Sequence, residues 1–411
     1  MVIFKGRIID GNDGEVIEKG VVVVENDQIK IVCQETEFTM PENLDNVKII
    51  EKDDCTILPG FIDCHIHLNS IGMNPIRLFL KNKYTLLMEG ISDAKKMLDA
   101  GFTSAREMSE FGPYLKSAIE SGLIAGPKLF VSGKLLSSTS GHGDACSYLP
   151  YNYTQEKNTI AYLVDGIDEC IKGTRMNFRE GADFIKTCST GGILSSGDEP
   201  DACEFSYEEL KAMVDEAQRH NTYVASHSQG NKGIYEALKA GIKSIEHGIF
   251  LDERCIELMV KNNCMYVPTL SILKIVCVNP NEVPEYAYKK AMLAIEGHNK
   301  SVELARKAGI LIGLGSDFLG GDSKTTEYGT QGIEFSSLVE AGLTPMEAIM
   351  AGTKNASSII KKSKEVGTIE ADKKADIVLV DGNPLNNIKI LADKNNVKVV
   401  MQNGNIVKNN L

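Results

Sequence analysis

No stretch of this chain reaches the roughly 18 to 20 consecutive apolar residues that a membrane-spanning helix requires. Its ten cysteines show no CxxC spacing, which excludes a zinc finger and reads as the reduced thiols of a cytoplasmic protein. Positive charge is in deficit: 44 Lys plus Arg stand against 56 Asp plus Glu, a net charge of −12. That balance speaks against nucleic acid or an anionic membrane as the main partner, while leaving room for a small substrate. The opening stretch, residues 1–16, lacks a basic region followed by an apolar core and a cleavage site, so no secretory signal is expected. Neither "GHGD" nor "TGG" has P-loop spacing, and no internal repeat or low-complexity segment interrupts the chain.

At 411 residues, 43% hydrophobic and 24% charged, the chain has material for one large domain and a smaller one. Residues 1–57 read as short strands and turns ("MVIFKGRIID", "GVVVVENDQIKIVC", "NVKIIEKD"), and 365–411 return to that texture ("KADIVLVD", "NVKVVMQNGNIVKN"). Between them, over 58–364, strands alternate with amphipathic helices such as "SYEELKAMVDEAQRH". Eight strand-like runs can be counted: "GFIDCHIHL", "FTSAREM", "KLFVSGK", "DFIKTCS", "TYVASHS", "IKSIEHG", "MYVPTLS" and "ILIGLGSD". The expected fold is therefore α/β, a (β/α)8 TIM barrel with a small β-sandwich domain built from both chain termini.

In such a barrel, chemistry sits at the C-terminal ends of the strands. His65 and His67 end the first run, one residue apart and so on one face of a strand. Lys186 lies late in the fourth, His227 ends the fifth, His247 the sixth and Asp317 the eighth. Lys186, flanked by Phe184, Ile185 and Cys188, is hard to bury as a free ammonium. It could snorkel or pair with Asp183; read functionally, it loses its proton, takes up carbon dioxide and becomes a carbamate able to bridge two cations. Four imidazoles, a carbamate and a carboxylate suit two divalent metal ions, with zinc the first expectation. His65, His67 and Asp317 would hold one, His227 and His247 the other. Two such ions, typically about 3.5–4 Å apart, can share a water and bring its pKa toward about 7. Asp317 could then accept that water's proton and pass it to the leaving group.

Arg106 could bind a carboxylate bidentately, but pairing with Glu107 or Glu110 is the favoured reading. His220 closes a helix, where a cation suits the dipole, and His298 lies in a polar helical stretch; both read as structural.

With these residues in place, the chain resembles the amidohydrolase superfamily over nearly its whole length. "LPGFIDCHIHL" is similar to that superfamily's opening signature, and "KADIVLVDGNPL" to the return into the small β domain. Lys186, His227, His247 and Asp317 match its carboxylated lysine, later histidines and aspartate. "SGHGDA", "TGGILSSGDEP", "SIEHGIFLD" and "VPTL" resemble the prolidase-like branch of binuclear metal-dependent dipeptidases and carboxypeptidases. The resemblance implies cleavage of a dipeptide or N-acyl amino acid next to a C-terminal carboxylate, in a homo-oligomer. It gives His142 a role at the substrate carbonyl or carboxylate, as a donor to a developing oxyanion. It also places a substrate contact at Gln229, where relatives often carry tyrosine. The alternatives are a cyclic-amide (imidazolone-type) hydrolase or ring deaminase, a branch that generally lacks the bridging lysine. More remote is a non-catalytic assembly protein on the same fold.

Overall fold

The computed structural model describes residues 1–42, 46–144, 146–158, 160–321 and 323–411. Ala145, the last residue of the "SGHGDA" motif, lies outside them. Segments from both ends of the chain form one seven-stranded sheet. Its strands run in the order Asn405–Asn409, Val397–Gln402, Ile377–Asp381, Lys48–Pro59, Val2–Ile8, Ile17–Glu25, Gln28–Gln34. All neighbours are antiparallel except Val2–Ile8 against Lys48–Pro59. Period-two alternation explains why both faces are apolar. Phe4, Val22, Val24, Ile57, Leu379 and Val399 pack on one side, and Ile3, Val21 and Val23 on the other.

The central region is built from short parallel strands followed by helices. Phe61–Ile66 pairs with Phe102–Glu107, which pairs with Lys128–Val131. A second sheet runs Met265–Val267, Ser244–His247, Val224–Ser228, Ile185–Cys188, Leu135–Ser137, Ala161–Leu163. The strands Phe61–Ile66, Phe102–Glu107 and Val224–Ser228 are buried at every position, as parallel strands covered on both faces must be. The helices turn their apolar stripes inward. Tyr207–Arg219, for example, starts at a Ser206/Glu209 capping box and buries Leu210, Met213, Val214 and Ala217.

Two of the eight expected runs differ from single regular strands. "KLFVSGK" breaks at Gly133, whose φ of +69° lies in the left-handed region, so Lys128–Val131 serves one sheet and Leu135–Ser137 the other. "ILIGLGSD" forms isolated parallel bridges, Tyr266 to Ile312 and Ile66 to Phe318. Its backbone still bonds to both neighbours: Tyr266 N donates to Leu311 O at 2.9 Å and Cys64 N to Leu314 O at 2.8 Å. Glycines 313 and 315 let this segment lie close, since a Cβ on Gly315 would fall 2.4 Å from Val267 Cγ1. Among the described residues, no helix is long and apolar enough to cross a membrane, and all ten cysteines are free thiols.

Candidate metal centre and substrate cavity

The residues singled out at strand ends converge. His67 Nε2 lies 3.2 Å from Asp317 Oδ1, and His65 Nε2 lies 3.5 Å from the same oxygen. His247 Nδ1 is 4.0 Å from Asp317 Oδ2. One ligand atom from each of His65, His247 and Asp317 falls within 4.8 Å of the others. Lys186 Nζ reaches His65 Nε2 at 3.4 Å. The His227 ring sits with its centroid 4.5 Å from that of His247, and its Nε2 is 3.2 Å from Gly191 O. His65, Lys186, His227 and His247 are all buried.

Burial decides the charge of this cluster. Desolvation, reinforced by the neighbouring cationic groups, holds His65 and His227 well below the ordinary histidine range and His247 down at about 3. Desolvation also lowers Lys186. For Asp317 burial works upward, but His65, His247 and a hydrogen bond from His67 outweigh it and keep the carboxyl ionised. Neutral imidazoles, a lysine whose charge burial disfavours and a carboxylate form the donor set that divalent cations take.

Behind this cluster lies a network that sequence reading missed. Glu246 Oε2 accepts from His65 Nδ1 at 2.8 Å, so His65 turns its Nε2 lone pair into the cluster. Glu246 is held in turn by Arg106, whose Nη2 donates to both carboxylate oxygens at 2.7 and 2.8 Å. This corrects the expected partner of Arg106. Glu107 instead accepts from Leu68 N and Ser109 N, and Glu110 lies 3.6 Å from Lys134. Arg106 also donates to Cys64 O at 2.6 Å and is fully buried, so it is a support for the cluster and not a substrate clamp. Asp183, considered as a partner of Lys186, pairs with Lys116 at 2.7 Å. His247 Nδ1 is hydrogen-bonded to Thr269 Oγ1 at 2.7 Å. His298 is buried and donates from Nε2 to His247 O at 2.9 Å. His220 caps the helix Tyr207–Arg219 and stacks on Phe178 at 4.0 Å.

A cavity of about 400 Å³ opens over the cluster. His142 reaches it from the loop after Leu135–Ser137, stacked on His227 with centroids 3.9 Å apart. Gly192 makes this possible: a Cβ there would stand 2.2 Å from His142 Nδ1. That nitrogen is 2.9 Å from Ser195 Oγ, whose single proton goes to Asp198 Oδ1. His142 Nδ1 must therefore carry hydrogen and donate, which leaves Nε2 without a protein partner among the described residues. Lys290 ties this loop down by donating to Gly192 O at 3.1 Å and Ser195 O at 3.0 Å. Gln229 lines the same cavity; it is 5% exposed and its Oε1 has no hydrogen-bond partner among the described residues. Ser195 and Asp198 lie in a loop without periodicity and Lys290 on the helix Glu285–Lys307, and only their clustering in space marks them.

Residues 56–407 match the family described as the Amidohydrolase family. The ochratoxinase of Aspergillus niger is 31% identical over 433 aligned positions, spanning 99% of this chain and 86% of its own. A solved prolidase complexed with N-methylphosphonate-L-proline superposes with a TM-score of 0.91 at 31% identity, over 99% of each chain. A Xaa-Pro dipeptidase with bound methionine in its active site gives 0.88 at 29% identity, again over 99% of both.

Proposed function

We propose that this chain, which belongs to the amidohydrolase family and is a hydrolase of amide C–N bonds, cleaves a dipeptide or N-acyl amino acid next to its C-terminal carboxylate. The observation that carries the binuclear reading is Lys186. It is buried, its charge is disfavoured, and its one hydrogen-bond neighbour among the described residues is an imidazole nitrogen, with no carboxylate pairing it. A neutral amine there can add carbon dioxide and release one proton, giving a carbamate with two oxygens. His65, His67 and Asp317 would hold one cation, His227 and His247 the second, and the Lys186 carbamate would bridge them, with zinc suited to the donors. Bound divalent cations would supply Lewis acidity and a water ionisable near neutral pH.

The chain's own groups supply the rest. Asp317, held ionised, accepts the proton from the attacking water and delivers it to the departing amine. Gln229 offers an amide to the substrate carbonyl or carboxylate, and His142, whose Nδ1–H is given to Ser195, presents Nε2 to the same substrate as an acceptor, becoming a donor to a carbonyl or carboxylate only when the ring takes up a second proton. The same reading takes 58–364 as a (β/α)8 barrel, supported by the bonds that tie 310–318 to strands on either side. It takes 1–57 with 365–411 as the small β-sandwich domain. A cytoplasmic homo-oligomer completes it.

The test joins metal analysis of protein purified without chelators to hydrolysis of a panel of dipeptides and N-acyl amino acids. About two metals per chain and release of a C-terminal amino acid, both lost in Lys186→Ala, are expected. One metal per chain, with ammonia or a ring-opened product, would move the protein to the cyclic-amide hydrolases and deaminases. No metal and no product would revive a non-catalytic role.

A further inference from the structure

The cavity over the cluster is polar at two edges, and the edges are opposite in hydrogen-bonding sense. Gln229 stands two positions after His227, just past the strand Val224–Ser228, and lines the cavity. Its Oε1 is buried and accepts from nothing among the described residues. His142 stacks on the His227 ring at 3.9 Å and, with Nδ1–H given to Ser195, keeps a lone pair at Nε2. Two acceptors without donors thus flank one histidine. The loop after Phe61–Ile66 is the reverse. Asn69 and Asn74 line the cavity and spend Oδ1 on the backbone, accepting from Ile71 N at 3.4 Å and Ile76 N at 3.2 Å. What they can give a ligand is Nδ2–H. The two edges face each other. From Phe61–Ile66 the pairings run through 310–318, Met265–Val267 and Ser244–His247 and reach Val224–Ser228 at the fourth step. The other way round takes as many steps, counting the run split at Gly133 once. Ile66 bridges to Phe318, so Asp317 belongs to the asparagine edge.

We propose that the substrate is a dipeptide with a free amino terminus, whose α-amino group donates to Gln229 Oε1 and His142 Nε2 while its C-terminal carboxylate accepts from Asn69 and Asn74. This rests on the amide-hydrolase reading above and narrows it, because it makes simple N-acyl amino acids poor substrates. The scissile carbonyl then lies over the metal ligands, between the two edges. The departing nitrogen falls on the side of Asp317, the group that returns the proton. A dipeptide fills both edges at once, since it carries donors at one end and acceptors at the other. An N-acyl amino acid sets hydrocarbon against Gln229 and His142 and leaves both acceptors dry. A site built to bond a substrate N–H rejects the analogue that lacks it far more strongly than it senses a methylene, because its own buried polar atoms go unpaired.

The experiment uses the metal-loaded full chain and two compounds that differ only in the amino group, L-alanyl-L-leucine and propionyl-L-leucine. Released leucine is measured. The expected kcat/KM for the dipeptide is at least about 30-fold higher, the low end for two buried acceptors left unpaired. A smaller ratio would overturn the proposal. L-Alanyl-L-leucinamide, which lacks the carboxylate, should fall at least about tenfold below the dipeptide; a lesser drop would refute the placement of that end. Gln229→Leu should lower the dipeptide-to-propionyl ratio at least about fivefold, whereas Gln229→Glu, still an acceptor, should keep it at the wild-type value or above. A Gln229 that merely supports the fold would slow both compounds alike, and an unchanged ratio in Gln229→Leu would therefore overturn its role. If neither compound is cleaved, the hydrolase reading fails on its own, and calorimetry with uncleavable phosphinate isosteres of the two decides. Binding of the amino-bearing isostere at least about 30-fold tighter upholds the acceptor edge, and anything less refutes it.

Discussion

Replacing Arg106 by methionine tests whether the buried network behind the cluster does what its geometry requires. Arg106 and Glu246 are both fully buried, and the guanidinium bonds both carboxylate oxygens, Ser244 Oγ and Cys64 O. Arg106→Met keeps most of the volume but strands Glu246 with Ser244 Oγ at 2.6 Å and His65 Nδ1 at 2.8 Å as its remaining donors. Breaking a buried pair from one side costs about 3–5 kcal/mol, because an uncompensated charge stays behind. Removing the second charge as well, in Arg106→Met/Glu246→Gln, should recover at least about 1–2 kcal/mol of that loss. The chain has no tryptophan, so urea unfolding is followed by circular dichroism and tyrosine fluorescence. Metal titration adds a second readout: with its supporting carboxylate disturbed, His65 should bind cation about 10–100-fold more weakly. A single-variant cost under about 1 kcal/mol, or a double variant as unstable as the sum of the singles, would refute the reasoning.

Three further outcomes follow from the same geometry. Lys186→Ala should cut bound metal and reduce kcat by at least about 1,000-fold while circular dichroism stays native; retained metal stoichiometry would sink the bridging role. Ser195→Ala frees the His142 ring and should lower kcat/KM about tenfold, the worth of one positioned hydrogen bond, with metal content unchanged. A loss of metal alongside would show that the loop acts on the ligands instead. Burial pushes Glu334 up to about 7 from 4.5 although it accepts from Leu270 N and Ser271 N. Its folded pKa is raised, so the folded state binds the extra proton. Glu334's contribution is full below about pH 4.5 and is lost as pH rises through 7. Between pH 5 and 8 the wild type should therefore lose about 2.5 kcal/mol relative to Glu334→Gln. A pH-independent difference between the two would contradict this.

What could be read from the sequence, and what could not, follows from the physics of each element. Parallel strands covered on both faces become almost uninterrupted apolar runs, so an ionisable residue near a strand's end stands out. That is why His65, His227, His247 and Lys186 were visible without a structure, and the fold places them together. The partner of Arg106 was not visible, because it lies 140 residues away. Strand alternation already counted against Glu107, whose side chain must point to the opposite face from its neighbour. Glu246 left a faint signal as a lone carboxylate inside "IKSIEHG", two positions from Ser244 and on the same face. Ser195 and Asp198 left none, since a loop has no period to read. The break at Gly133 was hidden because glycine is compatible with a strand and with a left-handed turn alike.

The seven histidines divide according to how the backbone presents them. His247 and Asp317 both end strand-like runs with positive φ, +66° and +54°, and Thr269, which bonds His247, has +53°. For residues other than glycine such conformations cost about 1–3 kcal/mol each, and a β-branched threonine is a rare occupant. The strain persists because the surroundings fix it. The His247 carbonyl accepts from Tyr266 Oη and from His298 Nε2, each at 2.9 Å, while Asp317 N donates to His65 O at 2.8 Å. His298 therefore holds the chain turn that aims His247, although it is remote in sequence and lies on a helix. Six histidines, at 65, 67, 142, 227, 247 and 298, line the cavity; His298 also holds the His247 carbonyl, and His220 closes a helix and is not among the lining residues. A strand can end in histidine for many reasons. Two proposed metal ligands and their threonine support held in unfavourable backbone conformations, each pinned by buried hydrogen bonds, point to a site whose geometry matters more than its local stability.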